Sequence, residues 1–336
     1  MKQHFQQIDV VKGVAILMVL LLHSLTRQDL LKSYAVYHIW QAVPLFMVIM
    51  GLNLGLSVQR KDQNLQDLYS RSYFSKKAIR IIAPFLIVFA VSIPVGLVWQ
   101  WLQGEKVLHF DFYNLIGVLP VTGKGNYFIT LLLQSILLLP IIGYAFSRKP
   151  VITSILLILL EVAFQLWSSN LTFFDTNDYL YSAAFVRYFS AIVYGLWLAK
   201  YVLKYKQTKL GLVLSISACV AGVIFWLVLY TGFKPSFIRP EWSVQQLFTF
   251  GYAAFWLWVA IRLLPSSSTA LPLQFLATLG KASYHIFLIQ VLFFGLADEA
   301  SPLWLNLSVC LLFGFIFFKY EDKIIKLLSL KSESRR

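Results

Sequence analysis

Apolar runs dominate the chain, and the charged residues fall into the gaps between them. Stretches free of Asp, Glu, Lys and Arg occupy 13–26, 35–58, 81–104, 125–147, 210–233, 242–261, 282–297 and 300–318. Two more, 150–174 and 179–199, are each broken once, by Glu161 and by Arg187. A helix rising about 1.5 Å per residue needs roughly 20 apolar residues to cross the hydrocarbon layer. The pattern therefore predicts ten spanning helices, near 9–26, 35–58, 81–104, 125–147, 150–169, 179–200, 210–231, 242–263, 279–297 and 302–319. The fold class expected is all-α, a polytopic integral membrane protein. The longest connections, 59–80, 105–124 and 231–241, are too short for a separate soluble unit, so 1–336 reads as one transmembrane domain.

Composition agrees with this reading. Hydrophobic residues make up 59% of the chain and charged residues only 13%, with a mean hydropathy of +0.71. A soluble domain carries about 25% charged residues, so soluble and disordered classes are both excluded. Cys219 and Cys310 fall within spans and read as small packing residues, and two cysteines exclude a disulfide scaffold. The first 26 residues look like a signal peptide but lack a small-x-small cleavage site, which predicts an uncleaved first span.

The net charge of +14 is explained by topology. With a cytoplasmic N-terminus, ten spans return the C-terminus to the same side, and 22 of the 29 basic residues then lie there. Retained Lys and Arg fix orientation. The asymmetry predicts an N-in, C-in protein of the inner or plasma membrane whose basic face meets anionic lipid head groups or a polyanionic ligand, and no nucleic acid. No G-x-S-x-G, no phosphate-binding P-loop, no H-E-x-x-H and no zinc-like spacing of His, Cys and acids occurs, so no metal is expected. Gly51 and Gly55 form a G-x-x-x-G pair of the kind that packs helices closely.

Ionisable residues inside a span are costly and point to function. They are His23, Glu161, Arg187 and His285, with Asp9 and Lys12 where the first span begins. Lys12 and His23 are eleven residues apart, three turns plus roughly 20°, so they share one helix face about 16 Å apart along the axis. Such a face holds an anion near the cytoplasm and, by this count, an imidazole near the middle of the membrane. Lysine suits the first task as a flexible point charge. Histidine suits the second because it exchanges a proton near neutral pH. A snorkelling lysine and a histidine bonded to a neighbouring helix would give the same spacing. Glu161, eleven residues into a span that starts on the same side, is expected at a depth close to that of His23, where a carboxylate orients an imidazole or serves packing. Arg187 either binds an acceptor or neutralises Asp178 or Glu161. His285 reads as a satisfied polar residue.

The run Ile8-Asp9-Val10-Val11-Lys12-Gly13-Val14-Ala15-Ile16-Leu17, continuing to His23-Ser24, resembles the opening signature of the acyltransferase family 3 membrane proteins. Pro44 to Gly51 resembles that family's F-F-x-x-S-G segment, with Met50 in place of the usual serine. Lys76-Lys77-Ala78-Ile79-Arg80-Ile81-Ile82-Ala83-Pro84 resembles its basic R-x-x-P approach to the third span. Asn126-Tyr127-Phe128 through Gln134 and Pro140 is similar to a fourth-span motif of its oligosaccharide-modifying members. Leu279 to Leu288 is similar to its late L-G-x-x-S-Y-x-x-Y-L motif, with Gln290 where a histidine often closes it.

The resemblance implies transfer of an acyl group, often acetyl, from cytoplasmic acyl-CoA to a hydroxyl of a lipid-linked or surface glycan. Acyl-CoA is then the donor substrate, with no bound cofactor, and a carbohydrate is the partner. On this reading His23 is the general base. Lys12, Lys76, Lys77 and Arg80 hold the donor, while Asp9, Tyr127, Glu161 and Arg187 tune the site or meet the acceptor. The competing expectation is a transporter or exporter of a glycan or small anion, which buried His, Glu and Arg suit equally well.

Overall fold

A computed structural model describes residues 5–58, 65–202, 208–233, 238–297 and 301–333. Arg60, Lys61, Lys204 and Lys206 in the connections, Lys234, Asp298 and Glu299, and the terminal Lys2, Arg335 and Arg336 lie outside the described residues.

Ten long helices carry the fold among the described residues: α1 (Gln6–Ser24), α2 (Ala42–Val58), α3 (Ala83–Gln103), α4 (Tyr127–Arg148), α5 (Pro150–Ser169), α6 (Phe189–Val202), α7 (Thr208–Tyr230), α8 (Leu247–Leu263), α9 (Leu271–Phe294) and α10 (Leu303–Glu333). Among the described residues nine helical stretches are long and apolar enough to cross a membrane, and α8, at 17 residues, is the shorter tenth. No strand occurs among the described residues beyond one isolated bridge between Leu108 and Val121. The protein is an all-α polytopic membrane protein.

The lipid-facing pattern is visible within single helices. On α5, Val151, Ile152, Ile155, Leu156 and Leu159 are exposed, whereas Ser154, Glu161, Gln165 and Ser168 are buried. Polar groups turn inward because lipid offers them no hydrogen bonds.

Several helix ends differ from the uninterrupted runs. Two short 3-10 turns, Ala35–Tyr37 and Ile39–Gln41, precede α2. A break at Gln245 and Gln246 separates the short helix Pro240–Val244 from α8, and the Gln246 and Thr249 pair caps the new start. Helix α9 begins at Leu271, eight residues before the expected boundary at 279, with a proline in its first turn and Lys281 on an exposed position within it. Helix α10 runs on to Glu333.

Without a hydrophobic drive between helices in lipid, close backbone approach supplies the packing. Parallel α1 and α9 pair through glycines: a Cβ on Gly13 would lie 2.0 Å from the Leu276 carbonyl oxygen, and one on Gly280 1.8 Å from that of Asp9. Helices α2 and α6 do the same, with Gly51 against Ile192 and Gly195 against Val48, while Gly55 meets Ala199. The expected G-x-x-x-G contact therefore faces α6. The starts of α1 and α9 and the far half of α10 share one face, here termed the terminal face; Glu321 of α10 bonds His285 of α9.

The amphipathic segment Arg71–Lys77 leads through one π turn, Ala78–Ile82, directly into α3. Pro140 explains how it docks. Proline has no N–H, so the carbonyl four residues earlier, that of Ile136, lacks its helical donor. The Tyr73 hydroxyl donates to it at 2.8 Å, and the Tyr69 hydroxyl donates to the neighbouring Leu137 carbonyl.

Candidate active site

A cavity of about 1300 Å³ runs through the bundle. At the terminal face its wall includes Asp67, Lys76, Lys77 and Arg80, and Lys281 joins it level with the Gly13–Gly280 contact. Farther along come Asp9 and Lys12, and toward the opposite end His23, Gly125 and Tyr127. Helices α2 and α4 supply an apolar side with Phe46, Ile49, Met50, Leu132 and Leu139.

The spacing argument for Lys12 and His23 holds, since both line this one cavity. Lys12 Nζ donates to Asp9 Oδ1 at 3.2 Å, one helical turn back. The depth expected for His23 does not hold. His23 occupies the last turn of α1, with only Ser24 helical beyond it. Lys12 already lies six residues, about 9 Å, inside the helix. Another 16 Å therefore carries the imidazole to the far end of α1 rather than to its middle.

Three neighbours hold the imidazole there. Gln290 Nε2 lies 2.8 Å from His23 Nδ1 and donates to the Lys124 carbonyl at 2.9 Å. Phe294 meets the ring edge-on, with centroids 6.1 Å apart. Gly125, at φ +85°, lies so near that a Cβ there would stand 2.7 Å from His23 Cε1. Lys124 Nζ donates to the His23 carbonyl at 3.4 Å, tying the 122–126 loop to the end of α1. The register follows from the α1–α9 pairing. Gly13 and Gly280 meet near the start, and ten residues on, at equal rise, His23 meets Gln290.

The structure thus gathers Asp9, Lys12, His23, Lys76, Lys77, Arg80 and Tyr127 around one space. Glu161 and Arg187 are outside its lining. Glu161 Oε2 accepts from both the backbone N–H and the hydroxyl of Ser190, each at 2.7 Å. Glu161 sits about 17 Å along α5 and His23 about 26 Å along α1, each counted from the start of its own helix. The partner of the imidazole is Gln290, not Glu161. Arg187 is buried in the 3-10 turn Phe185–Tyr188, its guanidinium 4.0 Å from the Tyr181 ring centroid and 5.6 Å from that of Tyr188, with Nη1 donating to the Tyr181 carbonyl at 3.4 Å. It braces aromatic rings. His285 has its polar partner, Glu321 at 2.7 Å, and both line the cavity.

Sequence reasoning missed Tyr73, Lys124 and Tyr284. Tyr284 donates to the Ile81 carbonyl at 3.0 Å, fastening α9 to the π turn that carries Arg80. Lys124 had a visible signal, a single cation between two glycines just ahead of a span.

The chain matches the family model of the acyltransferase domain known as acyltransferase family 3 over residues 5–320, nearly its whole length, and belongs to that family. No curated protein and no solved structure matches it. Fold and family together define the class, a multi-pass membrane acyltransferase.

Proposed function

We propose that the protein is an O-acyltransferase of the cell inner or plasma membrane, moving an acyl group, most simply acetyl, from cytoplasmic acyl-CoA to a hydroxyl of an envelope or extracellular glycan. The observation that carries this reading is the single cavity joining a basic mouth to a histidine at the opposite end. Its volume of about 1300 Å³ exceeds the roughly 300–1,000 Å³ of ordinary ligand sites, as a nucleotide-bearing donor plus an acceptor end requires.

Lys76, Lys77 and Arg80 suit the donor's phosphates, because ammonium and guanidinium groups recognise phosphate oxygens as charge-assisted donors. Lys12, steadied by Asp9, stands between that mouth and His23. The acceptor hydroxyl reaches His23 from the opposite face. His23 takes its proton as oxygen attacks the thioester carbonyl, the C–O bond forms, the C–S bond breaks, and the proton passes to the departing thiolate.

The test is label transfer from radiolabelled acetyl-CoA supplied at the cytoplasmic face of inverted vesicles, with His23→Ala in parallel. Label is expected in a glycan or lipid-linked fraction with the wild type, and its loss with His23→Ala at unchanged insertion. Equal transfer by His23→Ala removes the base assignment. Acetyl-CoA neither bound nor consumed removes the acyltransferase reading.

A further inference from the structure

The amide of Gln290 decides which nitrogen of His23 carries its proton. The Lys124 carbonyl oxygen can only accept, so the Gln290 atom 2.9 Å from it is the amide nitrogen. That same nitrogen lies 2.8 Å from His23 Nδ1, and its two hydrogens serve the two acceptors. Nδ1 therefore accepts, and the neutral imidazole carries its proton on Nε2. In this tautomer the nitrogen left toward the reactants has no lone pair with which to take a proton. Gln290 is fully buried on α9, and its Oε1 is a buried acceptor with no donor among the described residues. Half a turn of the amide would bring Oε1 onto an Nδ1–H and free Nε2. It would also set Oε1 against the Lys124 carbonyl, so the loop 122–126 has to give way. The same loop presses Gly125 against His23 Cε1.

We propose that Gln290 is a positioning residue that sets the proton register of His23: the resting amide withholds the base, and displacement of the 122–126 loop from the acceptor side lets the amide turn and releases it. This rests on the acyltransferase reading and adds a purpose to it. A thioester held beside an armed base is open to water, giving acetate and free CoA thiol. A base armed only when an acceptor moves the loop spares the donor.

The full-length protein with acetyl-CoA and no acceptor supplies the test, read as release of CoA thiol. Gln290→Glu presents only acceptor oxygens, holds the proton on Nδ1 and frees Nε2. Thiol release is expected to rise about tenfold over wild type and to fall back to background when His23→Ala is added. Gln290→Leu provides a second reading through carbethoxylation of histidines by diethyl pyrocarbonate, followed by mass spectrometry. With neither tautomer enforced, His23 is expected to react about threefold faster than in the wild type, while exposed His38 and His109 react at unchanged rates and report an intact fold. Unchanged thiol release in Gln290→Glu together with unchanged His23 reactivity in Gln290→Leu overturns the proposal. A wild type that does not bind acetyl-CoA, with His23 still more reactive in Gln290→Leu, overturns the acyltransferase reading and leaves the register standing.

Discussion

At the scale of single residues, the costly groups of this protein divide into two kinds. Lys12 and His23 line the cavity as well as bonding their neighbours, whereas Glu161 and Arg187 spend their polarity on neighbours alone. The Glu161 carboxylate satisfies two donors of Ser190 at once, and the lining of the cavity that holds His23 does not include it. Replacement by leucine leaves a buried N–H and a buried hydroxyl without an acceptor, a loss of about 1–3 kcal/mol. Glu161→Leu is therefore expected to lower the melting temperature of the solubilised protein by a few degrees, with the KM for donor of the folded fraction within about twofold of wild type. A large change in KM or kcat at unchanged stability would return Glu161 to the chemistry. The sequence offered no way to separate the two kinds. Ionisable character is written in the residue, but its partner is chosen by helices far apart in the chain.

At the scale of elements, one proline organises the basic end of the cavity. Pro140 removes a helical hydrogen bond from α4, and the freed Ile136 carbonyl becomes the anchor for Tyr73, four residues before Lys77. Lys77 Nζ also rests over the Tyr73 ring, 5.7 Å from its centroid. Tyr284 fixes the following π turn from the other side. Tyr73→Phe deletes one hydrogen bond, about 1 kcal/mol, and keeps the ring. The expected result is a several-fold higher apparent KM for acyl-CoA with kcat little changed, measured by initial rates. Unchanged KM would mean that the basic segment is held by its apolar contacts alone. Both Pro140 and the tyrosines were legible as residues, but their meeting was not, because hydrogen bonds between elements leave no periodic trace.

At the scale of the whole molecule, a single cavity connects chemically different ends. Lys76, Lys77 and Arg80 crowd the terminal face of that cavity, and the imidazole stands at the other. A partly solvated basic mouth attracts a polyanion through interactions that salt screens, the Debye length falling from about 10 Å at 0.1 M to about 3 Å at 1 M. The KM for acyl-CoA is accordingly expected to rise several-fold between low and high salt while kcat stays nearly constant. A flat salt dependence would place donor recognition on apolar contacts instead.

The ten apolar runs, the choice of α1 as the helix that carries Lys12 and His23 on one face, and the family were all determined by local pattern. Each rests on rules that act within a few turns of one chain: hydrocarbon thickness, helical period, the cost of charge in lipid. Tertiary structure decided the rest. It set His23 at the far end of α1 and gave it Gln290 in place of Glu161. It also began α9 at Leu271 and bent the 122–126 loop over the imidazole. These outcomes depend on which backbones approach closely enough for glycines to interlock. That register between α1 and α9 is a property of two helices together, and neither sequence segment contains it alone.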